Sequence, residues 1–285
     1  MINFFNRIFE WDKELTEGEK YFFRLIEVIL IGQIIYNTWN WAFYIKELTG
    51  VILPLGLANY IDITIFFGSN LAILNASIIA GLLFVGFFRK WKHAYLVTLF
   101  FFHLEYVARF SQGEISHGTN LAGMILLCIG VSFSFIKNSD HIIKSAFGLM
   151  YFFIGLGYVF AACSKLIGTG INWADGDHLI LWIAERGTDK LSQNGAFSLN
   201  RLQVILLENY WLATITLAFG LLTELTGFLL WFKKTRWIQT TILLSMHIGI
   251  VFTLNIYFGD YVYLLILLGY PWDKLINYFI KKYSP

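Results

Sequence analysis

Charge is what this chain has least of: 14% of its 285 residues are Asp, Glu, Lys or Arg, where a soluble domain carries about a quarter. A water-soluble globule is therefore excluded, and a 19% aromatic content excludes a disordered chain. Proline is down to 3 residues, and no Gly/Pro/Ser-rich linker marks a second domain. The two cysteines, Cys128 and Cys163, both lie in apolar stretches. They form neither a zinc spacing nor a disulfide framework, so no metal site is expected. A net charge of +2 without a concentrated basic block leaves no footprint for nucleic acid.

What the chain does have is apolar residues, 57% of the total. A hydrocarbon core about 30 Å thick needs roughly 20 mostly apolar residues per helix. The pattern predicts an all-α, polytopic membrane bundle with about eight spans, at 22–44, 71–88, 93–110, 119–136, 145–165, 208–232, 236–258 and 259–279. The last is interrupted by Pro271, Asp273 and Lys274. The first is too long for a signal-peptide core and is expected to remain as an anchor. Ahead of it, Phe4, Phe5, Ile8 and Phe9 recur at helical spacing among charges, which predicts an interfacial amphipathic helix within 1–20.

Positive residues stay on the cytoplasmic side, and every second connection is basic. Arg7, Lys13 and Lys20 precede span one; Arg89, Lys90 and Lys92 join two to three; Lys137 and Lys144 join four to five. Lys233, Lys234 and Arg236 join six to seven, and Lys281 and Lys282 close the chain. Both termini are thus expected in the cytoplasm. One extracytoplasmic connection, 166–207, is far longer than the rest, and loops of that length tend to be functional. Leu179, Ile180, Trp182 and Ile183 give it an apolar helical stripe, so it is expected to fold over the outer mouth of one domain covering 1–285.

Ionisable groups at membrane depth cost at least about 2.5–3.5 kcal/mol and seek partners. Glu105 and Arg109, four apart, read as an intrahelical ion pair or a substrate contact. Glu224 and His247 count out to a common depth on neighbouring spans, with His103 as a third member, and serve either proton transfer or helix association. Lys165 closes the fifth span on the outer side, either as a snorkelling lysine or as a partly desolvated base. His117 opens the fourth span on that side. With His178, Trp173 and Asp175 in the long loop, these residues make Lys165 and His117 the leading catalytic candidates.

The second half of the chain also resembles a known family. Ser164-Lys165-Leu166 followed by Asn172-Trp173-Ala174-Asp175-Gly176 is similar to a segment of the horizontally transferred transmembrane (HTTM) proteins, which include the membrane domain of vitamin K-dependent gamma-carboxylases. Glu224 in Leu222-Thr223-Glu224-Leu225-Thr226-Gly227 resembles the family's acidic residue within a span, His247 the histidine of the next, and His117 the histidine at an outer span start. The resemblance implies a reduced quinone as cofactor, Lys165 as the initiating base and His117 as the assisting group. In length the chain looks more like short bacterial, SdpB-like members, which mature a secreted peptide toxin together with a small operon-encoded partner. It thus implies a bacterial plasma-membrane protein acting on an exported peptide or a lipid-soluble substrate. The residues alone leave two other classes open, a non-catalytic scaffold or immunity factor and a small transporter.

Overall fold

A computed structural model describes residues 2–50, 53, 56–111 and 117–283. It is 82% helical, with no strand among the described residues. In chain order the helices are α1 (Ile2–Phe9), α2 (Glu17–Lys46), α3 (Leu71–Phe87), α4 (Ala94–Phe110), α5 (Leu121–Phe135) and α6 (Ser139–Thr169). They continue as α7 (Gly176–Asn194), α8 (Arg201–Glu208), α9 (Tyr210–Leu225), α10 (Arg236–Leu254), α11 (Gly259–Gly269) and α12 (Trp272–Tyr283).

Among the described residues four helical stretches are long and apolar enough to cross a membrane: Glu17–Lys46, Ser139–Ala174, Tyr210–Trp231 and Arg236–Leu254. Leu71–Phe87, Leu121–Phe135 and Gly259–Gly269 are apolar but shorter. Large apolar side chains point outward from these helices, among them Phe84, Phe135, Phe160, Phe219 and Phe252. Exposed apolar side chains of this size suggest a membrane-embedded surface.

Two expected spans are not single α-helices. The span read at 208–232 is α9 followed by a 3-10 turn over Thr226–Trp231. The one read at 259–279 breaks at Tyr270, which is extended (φ −101°, ψ 153°), because the following Pro271 offers no amide donor and disfavours helical geometry before it. Lys144, read as part of a basic connection, lies inside α6. It is buried, and its Nζ donates to the Glu10 carbonyl at 3.0 Å.

The chain divides into two compact units, residues 1–150 with 271–285 and residues 151–270. In the first, Thr16 and Glu19 form a reciprocal capping box that starts α2. Helix α3 turns Ala72, Ala76, Ile79 and Leu83 inward at helical spacing, and its small residues let neighbouring helices approach closely. At the N-terminus Phe9 covers Gly148 of α6, where an added Cβ would lie 2.2 Å from the ring. The Trp11 indole donates to Ser145 Oγ at 2.9 Å.

A polar assembly in this unit surrounds Glu27, which is 1% exposed. Arg89 binds it with both arms, at 2.7 and 2.6 Å. The Tyr95 hydroxyl donates at 2.7 Å and Arg24 at 3.0 Å. Gly86 allows the Tyr95 ring to lie against the backbone, since a Cβ there would be 2.9 Å from it. Arg89 reaches this position from a left-handed backbone (φ 57°) and stacks on Phe133 at 4.1 Å. Burial lowers the pKa of its guanidinium, but the bonds and charge of Glu27 outweigh that and hold it above the ordinary value.

Candidate functional site

The second unit is organised by two helices running in opposite directions. Trp231 Nε1 donates to the Phe152 carbonyl at 3.1 Å, Gly155 meets Gly227, and Lys165 meets Glu224. Numbers rise along α6 as they fall along α9 and its 3-10 extension, so the pair is antiparallel. Glycine is required at the crossing: a Cβ on Gly155 would lie 2.5 Å from Trp231 Nε1 and 2.8 Å from the Gly227 carbonyl.

The crossing explains how Lys165 finds its partner. Glu224 lies three residues from Gly227, about 4.5 Å along the axis, while Lys165 lies ten residues from Gly155, about 15 Å. Helical side chains lean toward their own N-terminus. On antiparallel helices the Lys165 stem therefore leans back along α6 toward the crossing, and Glu224 leans away from it. Lys165 Nζ and Glu224 Oε2 close the gap at 2.5 Å, and the ammonium lies 4.5 Å from the centroid of the Trp173 ring. Both side chains are mostly shielded, at 27% and 11% exposed.

The end of α9 is fixed by side chains that satisfy the carbonyls released where the α-helix gives way to the tighter turn. Gln239 Nε2 donates to the Thr223 carbonyl at 2.9 Å. Thr235 Oγ1 and Arg236 Nε donate to the carbonyls of Leu229 and Leu230 at 2.7 and 2.9 Å. Glu224 is thus held at a pinned helix terminus.

A second polar pair lies on the same face of α6, two turns before Lys165. The Tyr158 hydroxyl and His247 Nε2 are 2.8 Å apart, and the imidazole lies among Phe258 (5.5 Å) and Tyr261 (6.1 Å). His247 Nδ1 is buried without a hydrogen-bond partner. Glu224 and His247, expected to form one pair, each have another partner. Tyr158 was not among the expected site residues. Its sequence signal is the run Gly155, Tyr158, Ala162, Lys165, whose spacing puts all four on one helix face.

The segment 166–207 is largely helical. Leu179, Ile183, Leu206, Ala213 and Leu217 form one apolar cluster that joins α7 and α8 to α9. The Gly176 amide donates to Thr214 Oγ1 at 3.0 Å. Asp175 caps α7 by accepting from the Asp177 amide, a structural task. His178 Nδ1 lies 3.2 Å from the Trp173 carbonyl, which can only accept, so Nδ1 donates. His178 also stacks on Trp182, giving Trp173 a fixed position over Lys165.

In the first unit the expected ion pair between Glu105 and Arg109 is absent. Glu105 accepts from Asn75 Nδ2 at 2.7 Å, and Arg109 instead stacks on Tyr44 of α2 at 4.4 Å. The amide on α3 and the ring on α2 compete successfully for groups that share one face of α4. His103 is exposed and stacks on Tyr106. His117 begins a 3-10 turn, His117–Asn120; its side chain lies outside the described residues, and so does its expected convergence with Lys165. Among the described residues no group of three or more His, Cys, Asp or Glu side chains is placed to hold a metal ion.

The second unit thus contains two hydrogen-bonded pairs of proton-active groups. A lysine serving as a base must first release a proton, and Glu224 Oε2 is positioned to take it; Tyr158 and His247 form a separate phenol–imidazole pair. No protein-family model, curated protein or solved structure matches the chain.

Proposed function

We propose that the chain is a polytopic protein of the bacterial plasma membrane, of HTTM type, with about eight crossings and both termini in the cytoplasm. On this reading α11 is a short eighth crossing and α12 lies at the surface. Two observations support the topology. Basic residues alternate from one connection to the next, and α12 docks on the first turn of α2 through a bond from the Gly18 amide to Asn277 Oδ1 at 2.7 Å. The two ends of the chain then share one side, which requires an even number of crossings.

Its activity, on this reading, is acid–base chemistry on an exported peptide or a lipid-soluble substrate at the outer membrane face, in the maturation of a secreted peptide or toxin with a small partner protein. The observation that carries it is the Lys165–Glu224 pair under Trp173. A charge pair costly to place in a membrane is kept at the end of α6, covered by a segment that folds back from it. Lys165 is the base and Glu224 receives its proton. A reduced quinone, which the family resemblance implies, has one feature here that fits it: the buried His247 Nδ1, lacking a partner beside Phe258 and Tyr261, accepts a hydroxyl against an aromatic wall. When bound, that group supplies the strong base for proton removal from carbon. The test is mass spectrometry of secreted peptides from cells with and without the protein, where a carboxyl group gained per glutamate, a cleavage and an unchanged mass give three distinct spectra.

A non-catalytic scaffold or immunity factor is the second reading. The observation in its favour is that Lys165 and Glu224 satisfy one another and so can hold α6 and α9 together without chemistry.

A further inference from the structure

Helix α12 presents two faces of different character. Ile276, Asn277 and Ile280 are half-buried, while Leu275, Tyr278 and Phe279 point outward, together with Lys274, Lys281 and Lys282. The inner face is docked closely: a Cβ on Gly18 would lie 2.2 Å from the Asp273 carbonyl. Among the described residues no neighbour covers the outer face, where an aliphatic and two aromatic side chains sit beside three cations. The only acidic residue on the helix, Asp273, belongs to the half-buried side.

We infer that the outer face of α12 rests on a membrane surface bearing anionic phospholipid headgroups. Three observations select this partner. Aromatic and aliphatic residues flanked by lysines make the composition of a helix lying in the interface plane. The unopposed lysines complement negative lipid charge. The helix also sits against the first turn of α2, where the chain enters its first apolar stretch, which brings its outer face within reach of the headgroup layer. This rests on reading α2 as a membrane crossing. The phenol rings of Tyr278 and Tyr283 suit the same layer, apolar at one end and wet at the other. Because α12 is bonded to Gly18, the lipid charge felt by its lysines bears on the start of α2.

The experiment uses the full chain with Cys128→Ala and Cys163→Ala, carrying a nitroxide at Tyr278→Cys or, as a control, at the exposed mid-α2 position Tyr36→Cys. Each is placed in nanodiscs of phosphatidylcholine alone or mixed with phosphatidylglycerol, and accessibility to oxygen and to a water-soluble nickel complex is measured. The Tyr36 label reports hydrocarbon in both lipids; a water signal there sinks the membrane-crossing reading itself. The Tyr278 label moves from water to headgroup depth when phosphatidylglycerol is added, and Lys281→Glu with Lys282→Glu abolishes the shift. A Tyr278 label at one depth in both lipids, or shielded equally in detergent by a protein neighbour, overturns the inference while leaving the Tyr36 result intact.

Discussion

Lys165 and Glu224 meet at 2.5 Å although they lie at unequal distances from the crossing of their helices, because each side chain leans toward its own N-terminus on antiparallel helices. The pair depends on the close approach of Gly155 to Gly227 and on the bond from Gln239 to the Thr223 carbonyl.

Breaking this pair by Lys165→Ala leaves a shielded carboxylate alone and destabilises the protein, toward the lower end of the range of about 3–5 kcal/mol because Lys165 is partly exposed. Replacing both partners, with Lys165→Met and Glu224→Leu, restores most of the loss. Thermal unfolding of wild type, Lys165→Met, Glu224→Leu and the double variant in one detergent completes a double-mutant cycle. A loss in the double variant equal to the sum of the two single losses would show that the charges do not interact.

Arg89→Ala strips Glu27 of its bidentate partner and costs about 3–5 kcal/mol. Arg89→Lys keeps the charge but not the fork that grips both carboxylate oxygens, so it falls between wild type and Ala. The ranking of melting temperatures checks this, and a Lys variant as stable as wild type contradicts it.

Two glycines on α6 separate packing from helix propensity. Gly155→Ala drives a methyl against Trp231 and Gly227 and costs about 1–3 kcal/mol. Gly157→Ala meets nothing within 4 Å and is stabilising by about 0.5–1 kcal/mol. Unfolding midpoints that move in the same direction would refute the crossing.

Tyr158→Phe removes the one bond of a buried imidazole and leaves both His247 nitrogens unpartnered, a cost of about 1–3 kcal/mol. The His247→Phe, Tyr158→Phe double variant recovers part of it. If Tyr158→Phe melts with wild type, the hydroxyl does not serve His247.

Helix positions were legible where apolar runs end in turn chemistry. The span read at 71–88 is α3 at Leu71–Phe87, and that at 93–110 is α4 at Ala94–Phe110. Legibility failed where tertiary contacts overrule the local pattern. Nothing in Thr226–Trp231 announces a 3-10 turn, which exists because side chains from Thr235 and Arg236 satisfy its carbonyls while Gln239 holds the Thr223 carbonyl of α9 just before it. Lys165 and Glu224 were each visible as costly charges, but their pairing depends on the helix register, which Gly155 and Gly227 set. Glu27 was overlooked because its partner Arg89 counted only as a topology signal. Arg109 was misassigned because position four residues from Glu105 does not reveal the competing ring of Tyr44.

The sharpest test of acid–base chemistry at Lys165 and Glu224 is the mass of the secreted peptide made by cells carrying the Lys165→Met, Glu224→Leu variant, whose apolar replacements keep the helices together. At wild-type protein level the account predicts that the modified peptide disappears and its unmodified precursor accumulates. A peptide of unaltered mass and amount from that variant would contradict it and leave the two residues as a bridge between helices.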